Sequence, residues 1–126
     1  MNPKKQITVI AVALLLTASA PAQAQAPILS KEKQALHNPK KYALIAVKEY
    51  GWSNKHYVCL TQLWGKESGW NHKADNPNSS AFGIAQMLKE KSTSPMKQIN
   101  NGLRYIEHRY GDPCAAWKFW QSRYWY

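Results

Sequence analysis

Beyond its first twenty-six residues this chain has no sustained alternation of apolar and polar residues. It therefore lacks the signature of a half-buried strand, and an all-α fold is expected. Acidic residues are scarce, seven against seventeen lysines and arginines. Chemistry that needs paired carboxylates has few residues to draw on. Cysteine occurs only twice, and His37, His56, His72 and His108 stand at no ligand spacing from either thiol. No metal centre and no cofactor are expected on that pattern. Nor is there an apolar run of the roughly twenty residues that a membrane-spanning helix needs. The longest, Ile7 to Ala20, has fourteen.

That run has another reading. Lys4 and Lys5 precede it and Ala22-Gln23-Ala24 follows, a positive start and a small-x-small site. Residues 1–24 are expected to be an export signal cleaved after Ala24, and no cysteine lies near the site to take a lipid anchor. The remaining 102 residues suffice for one small domain. The mature charge falls from +10 to about +8 once the two lysines are gone. Such an excess either keeps a small protein soluble or favours a polyanion, and export points to the acidic polymers of a cell wall. The lysines are scattered and form no stripe or basic amphipathic helix, so neither nucleic acid nor a membrane surface is expected as partner. A monomer is expected. In an oxidising compartment Cys59 and Cys114 should form one disulfide.

Residues 25–37 carry no helical periodicity strong enough to use and are expected to be a flexible leader. The domain is expected over residues 38–126. Asn38-Pro39, Ser94-Pro95 and Asp112-Pro113 each read as an N-cap followed by proline at the first helical position. Ser53 caps another helix, and Gly51, Gly69 and Gly111 act as stops. Met96, Ile99, Leu103, Ile106 and Tyr110 keep strict three-four spacing, the mark of a core-facing helix. One or two helical turns over Gly83 to Lys89 bring the expected total to about five helices.

The stretch from Leu60 to Gln86 holds the chemistry. Leu60, Leu63 and Trp64 share one side of a helix, and the next position of that series is Glu67. A carboxylate there is either the outward-facing end of the last turn or an acid half withdrawn from water. In the second case its pKa rises, as a general acid near neutral pH requires. Other acids are weaker nominees. Asp75 stands in a polar loop, Asp112 is used as a cap, and Glu107, Glu90, Glu49 and Glu32 lie in solvated settings.

Glu67-Ser68-Gly69, Asn71 and Asn76-Pro77-Asn78-Ser79-Ser80-Ala81-Phe82-Gly83-Ile84-Ala85-Gln86 together resemble the soluble lytic transglycosylase family. Asn101-Gly102-Leu103-Arg104-Tyr105-Ile106 resembles its Gly-x-x-Tyr-hydrophobe helix. Gly111-Asp112-Pro113-Cys114-Ala115-Ala116-Trp117 and the closing Trp125-Tyr126 resemble small exported members with a cysteine pair. The likeness spans roughly residues 57–126. Larger members have Ala-Tyr-Asn where this chain has Ala116-Trp117-Lys118. The resemblance implies a lysozyme-like helical domain that cleaves the glycan strands of peptidoglycan with a single glutamate, Glu67, leaving 1,6-anhydro ends. It also implies sugar contacts from Gln86 and from Ser79 or Ser80. Tyr105 leaves the Ile99-Leu103-Ile106 stripe by one position, so it faces either the cleft, as a further sugar contact, or the edge of the core. A lysozyme-like hydrolase would need Asp75 or another second carboxylate, and a wall-binding module would need none.

Six tryptophans and seven tyrosines are many for this length. Flat aromatic faces stack on sugars or complete a small core. Trp64 and Trp117 are expected in the core, and Trp70, beside the acid, is the expected sugar platform.

Overall fold

The computed structural model describes residues 22–126, with side chains from residue 25 onward. Nearly all of the expected export signal, residues 1–24, lies outside that range. Five helices make up the fold: α1 (Ala22–His37), α2 (Pro39–Glu49), α3 (Asn54–Ser68), α4 (Pro95–Tyr110) and α5 (Pro113–Arg123). Between α3 and α4 runs a long connection holding a two-stranded hairpin, β1 (Ala81–Phe82) and β2 (Met87–Leu88). The expected all-α class and helix count hold, though the membership differs at two places.

Helix starts follow their caps. Asn38 accepts from the Lys41 amide at 3.0 Å, Ser94 from Lys97 and Asp112 from Ala115, and a proline follows each. At Ser53 the capping box is completed by His56, whose Nδ1 accepts from the Ser53 amide at 3.0 Å. That acceptance places the imidazole proton on Nε2 when the ring is neutral. Gly69 ends α3 with φ +61°, a conformation that a side chain would disfavour.

The leader expected at residues 25–37 is instead most of α1, which packs on α2 and α4. Its apolar residues explain why sequence periodicity misses it. Ile28, Leu29 and Leu36 are exposed, and only the small Ala35 is buried in the core. The helix is held through tertiary contact rather than by an apolar stripe of its own. The helical turns expected over Gly83 to Lys89 are absent. Ala81 pairs with Leu88 and Phe82 with Met87, and Asp75 adds one bridge to Phe82. Strands of two residues are too short to show period-two alternation.

The core fills the space between α3 and α4, whose side chains meet there. Leu60, Leu63, Trp64, Ile99, Leu103 and Ile106 are all fully buried, as their spacing requires. Truncating a buried residue of Trp64's size typically costs about 3–5 kcal/mol. Gly102 permits the approach, since a Cβ there would sit 2.6 Å from both Ala85 Cβ and Trp64 Cζ2. One polar side chain is buried among them. Gln98 donates to the carbonyls of His72 (3.0 Å) and Ser92 (2.8 Å) and accepts from the Ile84 amide (2.9 Å). With every polar atom partnered, its burial carries no desolvation penalty, and one residue ties three segments of the long connection to α4.

Cys59 and Cys114 form the expected disulfide, with Cα atoms 5.0 Å apart, joining α3 to the start of α5. Closing that loop contributes about 4 kcal/mol on chain-entropy grounds.

Candidate functional site

Glu67 occupies the last turn of α3, one turn after the buried Trp64. Its side chain is half-buried, facing the hairpin and α5 rather than open water. Burial raises the Glu67 pKa above the ordinary carboxyl value, and the indole N–H of Trp120 on α5 pulls it partly back. Of the two expected environments, the withdrawn acid is the one found.

Ser68, the next residue, looks the other way. Its hydroxyl donates to the Ile84 carbonyl at 2.6 Å and accepts from the Trp70 amide at 3.1 Å. The end of α3 is thereby fastened to the turn between the strands. That turn is shaped by Gly83, with φ +80° and its α-carbon against Gln98, and by Gln86 in the left-handed region with φ +50°.

A hollow of about 280 Å³ opens in front of Glu67, between Asn76, Ser79 and Ala81 on one side and Tyr124, Trp125 and Tyr126 on the other. A second, of about 190 Å³, is lined by Ala85, Met87, Tyr105 and Arg109. Both share Gln86, Leu88, Trp125 and Tyr126 as walls, so they are neighbouring parts of one groove. Glu67 is the one carboxylate side chain among the lining residues of either part.

Gln86 lies at the junction. Its amide group donates to the carbonyls of Ala74 (3.0 Å) and Gly83 (2.9 Å), which uses both hydrogens and leaves Oε1 as an acceptor. Ser79 lines the groove beside Glu67, and its Oγ accepts from the Ala81 amide while its own proton stays available. Tyr105 lines the second part, where its hydroxyl accepts from Arg109 at 2.8 Å. These three expected residues are brought together with Glu67. Ser80 is not, because its Oγ accepts from the Lys89 amide and it lines neither part.

Trp70 corrects the expected sugar platform. It is 7% exposed, its ring meets Trp64 edge-on at 5.2 Å, and its indole N–H donates to the Thr61 carbonyl. Trp70 has φ +63° directly after the left-handed Gly69, and its ring lies turned back beneath α3, where the Thr61 carbonyl accepts its N–H. The exposed aromatics of the groove are Tyr124 and Trp125, the second half exposed and standing edge-on to Phe119 at 4.9 Å. Trp64 is in the core as expected, whereas Trp117 lies partly buried at its edge, stacked on Trp120 at 5.3 Å.

Tyr126 is the keystone of this wall. Its hydroxyl donates to the Ala85 carbonyl at 2.7 Å and accepts from the Trp64 indole at 2.9 Å. Burial pushes its pKa well above the usual tyrosine value, so it remains neutral. Asn76, Trp125 and Tyr126 entered the sequence analysis only as part of the family resemblance, and none of them, nor Tyr124, was assigned a contact at the site. The crowding of aromatics after Trp117 was the available signal for the last three.

Asp75 is exposed and lines neither part of the groove. His56, Asp112 and Cys114 bring possible ligand atoms within 4.8 Å of one another, but the Cys114 sulfur is already bonded to Cys59. Among the described residues no helix is long and apolar enough to cross a membrane. Comparison with protein families, with curated proteins and with solved structures found no match.

Proposed function

We propose that this protein is an exported lytic transglycosylase, acting as a monomer on the glycan strands of peptidoglycan. It cleaves the β-1,4 bond between N-acetylmuramic acid and N-acetylglucosamine. Glu67 gives its proton to the bridging oxygen as the bond from that oxygen to the anomeric carbon breaks. The 6-hydroxyl of the same muramyl residue then attacks that carbon, and its proton passes to the Glu67 carboxylate. The acid is restored, the product carries a 1,6-anhydro ring, and no water is consumed.

The observation that carries this reading is the single half-buried carboxylate in the groove. A raised pKa favours the protonated form of Glu67, the form the first step demands. An inverting hydrolase sets a second carboxyl about 6.5–9.5 Å from the acid to hold its water, and no other side chain of the groove supplies one. An attacking hydroxyl already present on the bound sugar needs no such group, and gains the advantage of intramolecular proximity. The free Oε1 of Gln86 suits the N–H of an N-acetyl group, and Trp125 offers a ring for stacking. The disulfide fits an oxidising compartment, in keeping with export.

Mass analysis of fragments released from purified sacculi tests the reading. The expected ends are 1,6-anhydromuramic, one water lighter than hydrolysis products and resistant to borohydride. Reducible ends, together with a dead Asp75→Asn variant, would make the protein a muramidase instead. Binding without any release would make it a wall-binding module.

A further inference from the structure

Arg109 stands in the wall of the second part of the groove, beyond Gln86 from the acid. Its guanidinium lies 5.2 Å from the ring centre of Trp125, 5.4 Å from Tyr110, 5.7 Å from Phe119 and 5.9 Å from Tyr105. One of its nitrogens donates to the Tyr105 hydroxyl. The ion pairs among the described residues are Lys31 with Glu49 and His56 with Asp112, so no described carboxylate lies within 4.0 Å of Arg109. A full positive charge is thus held by one hydrogen bond and four aromatic rings, with donors still unused and its counter-charge unfilled.

This setting favours an acidic ligand for three reasons. The flanking rings fix the guanidinium plane, which lowers the conformational cost of binding. The side chain remains exposed, so it is open to a ligand entering from solvent. The planar fork of donors matches the two oxygens of a carboxylate. Arg123, by contrast, rests on the Phe119 ring at 4.3 Å and lines neither part of the groove.

We propose that Arg109 forms a carboxylate-binding subsite, through which the groove selects glycan strands that bear acidic substituents over neutral ones. The inference rests on the reading of the groove as a glycan cleft. Two sources of the carboxylate exist on a muramyl strand: the lactyl group itself, where it is unsubstituted, and the peptide attached to it.

Calorimetric binding in the Glu67→Gln background, where strands are not consumed, separates these cases. Three probes are used: chitohexaose, a muramyl oligosaccharide with free lactyl groups, and the same strand carrying stem peptides. Arg109→Met is expected to weaken binding of the acidic strands about ten- to a hundredfold, the range for a hydrogen bond to a charged group. Arg109→Lys should recover part of the loss, and chitohexaose binding should change less than twofold. Loss confined to the peptide-bearing strand would name the peptide as source, loss confined to the free-lactyl strand would name the lactyl group, and loss on both would show that the subsite takes either carboxylate. The parent protein gives a second measure that needs no change at Arg109. It should bind acidic strands more tightly than chitohexaose, by a margin that narrows as salt is raised. Equal loss on neutral and acidic strands, or no loss on any, would overturn the subsite. A parent that binds all three strands equally would overturn it while leaving the glycan cleft intact. A parent that binds none would remove the cleft and the subsite together.

Discussion

The Ser68 hydroxyl donates to the Ile84 carbonyl at 2.6 Å, across sixteen residues of sequence. Glu67 and Gln86 each stand next to, or two residues from, one end of that bond. The spacing between an acid at a helix end and a Gly-Ile-Ala-Gln turn is therefore a distance in space as well as in sequence. Ser68 does no chemistry of its own in this arrangement. It holds the helix terminus and the turn at a separation that leaves the hollow between Asn76 and Trp125 open.

Glu67→Gln should abolish release from sacculi, with a loss at least as large as the 10²–10⁴-fold typical of general acid–base catalysis. The amide keeps the shape and cannot transfer the proton. Stability should move in the opposite direction. Burial raises the pKa of Glu67 in the folded state, so folding disfavours its ionised form. Wild-type stability is then lost as pH rises from the ordinary carboxyl range through the raised value, and a neutral glutamine escapes this loss. Melting curves across pH should show the variant gaining on wild type as pH rises. A variant that is less stable at every pH would contradict this.

The alkaline limb of kcat/KM should lie above the ordinary carboxyl value of 4.5, because the free enzyme must carry the Glu67 proton and burial retains it. The Trp120 indole N–H favours the ionised form. Trp120→Phe removes that donor while keeping an aromatic ring, so the limb should move further up. A limb that moves down, or stays in place, would show that Trp120 does not act on the acid.

Gly102→Ala should destabilise by a net of about 1–2 kcal/mol in denaturant titration, as overpacking of about 1–3 kcal/mol outweighs the better helix propensity. Its new methyl would press on Ala85 and Trp64. Ala85 adjoins Gln86, so turnover should fall as well. Gly65→Ala is the internal control. Nothing lies within 4 Å of a Cβ there, and the same change in α3 should stabilise by about 1 kcal/mol.

Cys59 and Cys114 should resist thiol reagents until the protein is reduced. Reduction should lower the unfolding free energy by about 4 kcal/mol. Free labelling of both thiols in the unreduced protein would exclude the bridge.

What was legible in the sequence was mostly what short-range chemistry controls. Asn38, Ser94 and Asp112 with their following prolines mark helix starts because a side-chain acceptor and a missing N–H act within a single turn. Glu67 could be singled out because Leu60, Leu63 and Trp64 define the buried direction of its helix. The Cys59–Cys114 pairing left no alternative partner. Long-range choices were opaque. Nothing near Trp70 announces that its ring would turn inward, since that depends on the Thr61 carbonyl as acceptor. Gln98 reads as a surface residue of α4 until three backbone groups of the long connection converge on it. Helix α1 escaped notice because it offers the core an alanine and turns its large apolar residues outward.

The bridge between Cys59 and Cys114 has a topological consequence. Residues 59–114 form a covalent ring, and Glu67, Ser79, Gln86, Tyr105 and Arg109 all lie on it. A single peptide-bond cut anywhere within the ring opens it without parting the chain. The exposed turn at Pro77–Ser80 is the natural place for such a nick. Both new ends would remain tethered to α3 and α5, so a protein clipped in a protease-rich setting would still run as one species on a non-reducing gel and keep the two sides of its groove together.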